Sequence, residues 1–157
     1  MRKKGHLEIS YCGICGCKLH RGGDYAKPTI MGRSHATEHH FVAERFFGRS
    51  KNRKGENRER IFEQCPWGVE GKTAIFCYEC HEELLHNPVF LPKDITGFVE
   101  LVKSRNFDED VKSENREKLA GRIKLLHEVL ERGTQELLKD VTADEVWTHS
   151  PPIDGPT

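Results

Sequence analysis

The chain lacks any apolar run approaching the length of a membrane span, and its opening Met-Arg-Lys-Lys-Gly lacks the apolar stretch of a secretory signal. Both absences argue against a membrane or secreted protein. Net charge is missing as well. Twenty-five Lys plus Arg balance 25 Asp plus Glu, so total charge selects no class of partner. Apolar residues are scarce, at 36% against 32% charged in a chain of 157 residues, so the expected core is small. A small core is where a structural metal contributes most, because ligation replaces burial that the chain cannot supply. No internal repeat is visible beyond two short cysteine motifs.

Those motifs are the most specific feature. Cys12-Gly-Ile-Cys15 lies near the start, and Cys77-Tyr-Glu-Cys80-His81 follows a short apolar stretch much later. Two CxxC pairs can each form a knuckle in which one tight turn offers two thiolates, together supplying four ligands to a tetrahedral zinc. Such pairing belongs to a reducing compartment and argues against a secreted disulfide framework, which places the protein in the cytoplasm. A thioredoxin-like redox pair is the alternative for either motif, but neither follows a βαβ pattern. Cys17 and Cys65 are left over. Cys17 is a substitute for Cys15 if the turn is wider, and a small buried thiol is the plain expectation at both positions.

The coarse organisation is α+β, with three regions expected: 1–90 around the knuckles, a helical extension over 91–142, and a disordered tail over 143–157. Alternation over 7–11 suggests a short strand into the first knuckle. Ser34 to Val42 reads as a strand, and Ala43–Phe47 as a helical turn stopped by Gly48. Gly48 to Asn57 is basic and polar with two glycines, which reads as a loop and a candidate for disorder without a ligand. Thr73 to Phe76 reads as a buried strand entering the second knuckle. A helix is expected from Tyr78 to about Asn87, where Pro88 stops it. A second is expected from Leu91-Pro92 to about Ser104. Leu119, Ile123, Leu126, Leu130, Leu137 and Val141 mark the apolar stripe of a long amphipathic helix, with Gly133-Thr134 as a candidate interruption. That stripe either packs on its own domain or forms a homodimer seam.

Charge is unevenly spread even though it sums to zero. Arg45, Arg49, Lys51, Arg53, Lys54, Arg58 and Arg60 cluster together, while many acidic residues lie from Glu100 onward. Taken alone the cluster reads as a solvated loop; beside a metal-type site it suggests a polyanion bound by phosphate neutralisation.

The histidines raise the possibility of chemistry. In a strand, His39 and His40 point to opposite faces and serve one site only if the strand ends or bulges there. Neither begins an HExxH pattern, so a zincin protease is unsupported. His81 follows Cys80 directly. On an α-helix it projects about 100° away from Cys80, towards a site next to the zinc. His86 lies roughly 140° from His81 on a regular α-helix, which separates the two unless the end unwinds. It is therefore the weakest of the candidates.

The order of these motifs resembles the HNH nucleases with a zinc-bearing ββα-metal core. The resemblance covers about residues 8–90: Cys12-x-x-Cys15, then His39-His40 after Glu38, then an apolar strand into Cys77-x-x-Cys80-His81. It implies structural zinc on Cys12, Cys15, Cys77 and Cys80. It also implies Mg²⁺ or another divalent cation on His39 and His81, with His86 as an added candidate, and His40 as general base. Imidazole's ordinary pKa of about 6.5 suits that role near neutral pH. The implied reaction is hydrolysis of phosphodiester bonds in DNA, duplex for choice, with Arg45, Arg49, Lys51, Arg53 and Lys54 on flanking phosphates. The implied setting is a prokaryotic or phage one. Two departures stand out. The family usually has an Asn shortly before the second knuckle, where this chain has Lys72-Thr73. It also tends to Pro and paired Gly after the histidines, where this chain runs Val42-Ala43-Glu44-Arg45 into its basic insertion. The alternative reading is a non-catalytic zinc module that binds nucleic acid.

Overall fold

The computed structural model describes residues 11–20, 33–109 and 116–141. Of the strand expected over 7–11 only Tyr11 is described, bridging to Lys18, and the tail expected over 143–157 lies outside these residues. Contacts divide the chain into two compact units, Met1–Val89 and Phe90–Thr157. Among the described residues no helix is long and apolar enough to cross a membrane.

The first unit is α+β, built on a three-stranded sheet in the order β1 (Lys18–His20), β2 (Arg33–His40), β3 (Thr73–Cys77). β2 runs parallel to β1 and antiparallel to β3, with His39 opposite Ala74 and His40 opposite Thr73. A 3-10 turn at Glu44–Phe47 follows β2. Gly48 ends it with a φ of 72°, a left-handed conformation that glycine adopts at little cost. A close neighbour also excludes a side chain there, because an added Cβ would stand 2.9 Å from the Arg58 carbonyl oxygen.

β3 feeds directly into a π-helix, Glu79–Leu85. The sequence suggested an α-helix here, and the difference decides the site. The buried centre of this unit is Cys12, Leu19, Cys77 and Cys80, with Cys17, Ala36, Ile75 and Phe76 packed around it. Three of the four central side chains are thiols, so the centre of the unit doubles as its candidate metal site.

The basic segment after Gly48 is a hairpin and not a disordered loop. Asn52 N–H donates to the Glu56 carbonyl at 2.8 Å, and Arg58 N–H to the Ser50 carbonyl at 2.9 Å. The Asn52 side chain accepts from the Lys54 and Glu56 amides at 2.8 and 3.1 Å, while Gly55 takes a φ of 79°. Asn and Gly are the residues that close such turns, through a side chain that mimics backbone and freedom at positive φ. Beneath the hairpin, Phe46 meets Phe62 and Phe62 meets Trp67, at ring separations of 5.8 and 5.5 Å.

The second unit holds helices α1 (Pro92–Ser104) and α2 (Arg116–Leu138). Pro92 opens α1, and the Leu91 amide donates to the Asp94 carboxylate at 2.8 Å, closing an otherwise orphaned donor. α2 runs through Gly133-Thr134 without a break. Its buried points are Gly121 and Leu125, one turn apart. Of the expected stripe, Leu130, Leu137 and Val141 remain exposed. Phe107 explains the shift, since its ring fills the space a Cβ on Gly121 would need, within 2.5 Å.

Candidate metal centre

The two knuckles converge. Cys12, Cys15, Cys77 and Cys80 place their sulfurs within 4.8 Å of one another, close enough to bind a metal ion such as zinc. Zn–S bonds of about 2.3 Å in a tetrahedron need sulfurs about 3.8 Å apart, and Cys15 and Cys77 stand 3.7 Å apart. The first knuckle is closed by Cys12 N–H to the Cys17 carbonyl and Gly16 N–H to the Cys12 carbonyl, both 2.9 Å. Backbone amides also point at sulfur, Ile14 to Cys12 at 3.5 Å and Cys80 to Cys77 at 3.4 Å. Such amides favour thiolate over thiol. At Cys12 burial pushes the thiol up, but amides of Cys15, Cys77 and Ile14 outweigh it and bring it down to about 6. Burial and the neighbouring sulfurs push Cys80 up, so the thiols oppose each other's ionisation in a way that a cation relieves. Cys17 packs against this cluster without joining the four, and its thiol is likewise pushed up by burial. Cys65 is half-buried.

A second cluster stands on the same hairpin and helix. His39, His81 and His86 place ligand nitrogens within 4.8 Å of one another. His39 comes from β2, on the face that also carries the buried Thr37, and the other two come from the π-helix. The helix type brings them together. An i→i+5 helix turns through a smaller angle per residue than an α-helix and so brings residues five apart closer to one side, and His86 N–H bonds the His81 carbonyl at 3.3 Å. The two rings lie 4.5 Å apart. The regular α-helix assumed from sequence separates them, so His86 belongs with His81 for a reason the α-helical angle hid.

The surroundings fix which nitrogens are free. Thr37 has a single hydroxyl proton and donates it to the Phe76 carbonyl at 3.1 Å. Towards His81 Nδ1, 2.9 Å away, its oxygen must therefore accept, which puts the proton on Nδ1 and the lone pair on Nε2. Glu82 does the same for His86, with Oε2 3.2 Å from Nδ1, and its other oxygen lies 3.5 Å from His81 Nδ1. Carboxylates and hydroxyls behind imidazoles in this way set tautomer and orientation at metal centres. His39 Nδ1 is buried and has no hydrogen-bond partner among the described residues, which fits a donor reserved for a cation. Burial pushes the His39 imidazole down, helped by His81, His86 and His40 nearby. Burial likewise lowers His81, against an opposing pull from Glu82. Both effects favour the neutral, ligating form.

His40 stands apart. It ends β2 on the face opposite His39, with Nε2 3.7 Å from Glu44 Oε1. The strand end that carries it is clasped at two points. Thr73 donates to Glu38 at 2.8 Å, and Phe41 N–H to the Lys72 carbonyl at 3.3 Å. Lys72-Thr73 thus ties down the segment holding His40.

The basic residues fall into two groups. Arg49 pairs with Glu70, Arg60 pairs with Glu63 at 3.0 Å, and Arg45 lies over the Phe46 ring. Lys51, Arg53, Lys54 and Arg58 are exposed, with no acidic partner among the described residues. Sequence reading missed Thr37, Glu82 and the Glu38–Thr73 clasp. Glu82 and His86 at i, i+4 are the one trace of these visible beforehand. No protein-family profile, curated protein or solved structure matches the chain.

Proposed function

We propose that this protein is an HNH-type endonuclease that hydrolyses phosphodiester bonds in DNA with the aid of a divalent cation. The observation that carries the reading is the convergence of His39, His81 and His86 on the same strand pair and helix that bring four cysteines together, with His40 following His39 on the opposite face of the strand. A purely structural zinc module has no use for three imidazoles, one buried, one half-buried and one exposed, that bring ligand nitrogens this close together. In this reading Cys12, Cys15, Cys77 and Cys80 hold zinc and fix the hairpin against the π-helix.

His39, His81 and His86 hold the second cation, which supplies Lewis-acid stabilisation of charge on the phosphate and leaving oxygen. Three imidazoles suit a transition metal better than Mg²⁺, which prefers oxygen donors and keeps its waters. His40 accepts the proton of the attacking water on its imidazole. Glu44, close to His40 Nε2, orients the ring and stabilises the imidazolium that results. Exposed cations on the hairpin neutralise flanking phosphates, contacts that position the duplex but carry little sequence information.

The test is plasmid nicking with a metal series on wild type and His40→Ala. Expected are nicking that is stronger with Mn²⁺, Ni²⁺ or Zn²⁺ than with Mg²⁺, and a loss of about 10²-fold or more in the variant, the scale of general-base catalysis. Zinc content should be equal in both proteins. Undiminished cleavage by a verified His40→Ala preparation removes the assignment. Binding without cleavage under any cation favours the zinc-module alternative.

A further inference from the structure

The geometry points to the hairpin 50–58 as a preformed duplex-binding element that enters the major groove of B-form DNA. This extends the nuclease reading and rests on it for the choice of DNA as partner.

Four observations carry it. The hairpin is folded in advance, by the Asn52 cap, by Gly55 and by backbone bonds at both rungs. Its base is fixed too. The Ile61 and Phe62 amides bond the Phe46 carbonyl at 2.8 and 3.1 Å, the aromatic stack lies below, and Arg49 pairs with Glu70. A binding loop ordered before contact loses less conformational entropy on association.

The cations that remain are the ones on the hairpin. Arg49 and Arg60 are spent on carboxylates, whereas Lys51, Arg53, Lys54 and Arg58 are exposed and unpaired among the described residues. The acidic residue within the ribbon is already engaged, since Glu56 accepts from the Asn52 amide nitrogen at 2.9 Å.

Placement on the ribbon then selects the target shape. Lys51 bridges to Asn57, and Ser50 pairs with Arg58, so alternation sets Lys51 and Arg58 on opposite faces. Arg53 and Lys54 occupy the tip. A flat anionic surface engages one face of a ribbon. A groove walled by two phosphate strands engages both faces and the tip. The B-form major groove is wide enough to admit a two-stranded ribbon, while the A-form major groove is too narrow and deep. Single strands are bound through exposed aromatic platforms, and residues 48–61 contain no aromatic side chain.

The experiment measures binding of a labelled B-form duplex to the zinc-loaded full chain over a range of salt. Duplex RNA and a single strand serve as competitors. The variant combines Lys51→Gln, Arg53→Gln, Lys54→Gln and Arg58→Gln. Each phosphate neutralised contributes about −0.9 to the slope of log affinity against log salt, so the variant should flatten the slope by about 3.6. That share corresponds to about 100-fold in affinity between about 50 and 200 mM salt. Asn52→Ala keeps every charge but removes the cap, and should weaken binding several-fold at unchanged slope. Arg53→Gln alone, a change at the exposed tip, should flatten the slope by about 0.9 and serves if the combined variant folds poorly.

An unchanged slope in the charge variants overturns the inference. So does equal affinity for duplex RNA or single strands. Nicking assayed on the same preparations separates the two readings. Binding through the hairpin without cleavage removes the nuclease assignment alone, and nicking with undiminished binding after neutralisation removes the hairpin alone.

Discussion

The two units solve the same shortage of apolar residues in different ways. In the first, the buried centre is Cys12, Leu19, Cys77 and Cys80, and the sulfurs that fill it lie where they could hold a metal. In the second there is no cysteine at all, and the helices rest on a few close contacts. Val102 and Leu125 are buried, Phe107 sits against Gly121, and Arg122 donates to the Phe107 carbonyl at 2.7 Å. Much of the remaining apolar surface stays outside, including Ile95, Val99, Leu130, Leu137 and Leu138. Cysteines that could hold a metal stand at the centre of one unit; in the other a thin core leaves apolar side chains exposed among the described residues. The cysteine cluster thus occupies the centre of its unit and is its candidate metal site at once.

Removing the metal is the strongest way to break that comparison. Structural zinc in small domains contributes about 10 kcal/mol or more of apparent folding energy. Chelation should therefore open the first unit, read as rapid proteolysis between Tyr11 and Leu85, while the helical circular dichroism of α1 and α2 largely remains. Identical melting and proteolysis with and without chelator would sink the clamp.

A smaller effect tests the histidine cluster within the first unit. Thr37→Val or Glu82→Gln removes a group that orients an imidazole, and such losses cost about 10- to 100-fold in metal affinity. Titration of the zinc-loaded protein with Co²⁺ or Ni²⁺ reads this directly, with stoichiometry at the cysteines unchanged. Equal affinity in both variants would remove the assigned tautomers.

The second unit has its own test. Gly121→Ala drives a methyl into the Phe107 ring, and overpacking of this kind costs about 1–3 kcal/mol. The α2 transition should move to lower temperature while the transition of the first unit stays as it was. A variant as stable as wild type would show that the Phe107 ring yields freely.

Acidification gives the smallest expected change. His39 and His81 are held below the ordinary imidazole value in the folded chain, chiefly by burial. As pH falls through about 6.5 the unfolded chain takes up protons that the folded cluster still refuses, so stability falls in the same direction. Wild type should therefore lose more thermal stability just below pH 6.5 than His39→Leu does. Parallel curves would show that the cluster protonates freely.

Much of the frame was legible from residues alone. Gly48 stops the turn at Glu44–Phe47, Pro92 opens α1, and the short apolar run before Cys77 gives β3, because each rests on local sequence preference. The two CxxC pairs named the four cysteines that converge, because a knuckle is one tight turn that carries its own spacing. The charge cluster was visible too. Its fold was not, since the cap by Asn52 and the stack of Phe46, Phe62 and Trp67 join residues that composition reads as loop.

The sequence by itself determined the thiol set, the strand carrying His39-His40 and the positions of both long helices, all of which depend on short-range pattern. The tertiary structure decided the rest. It wound Glu79–Leu85 as a π-helix, turning His86 back over His81, and it set Thr37 and Glu82 behind the imidazoles. Helix period and the orientation of a tautomer follow from packing against β2. Neither is written in the spacing of the residues concerned.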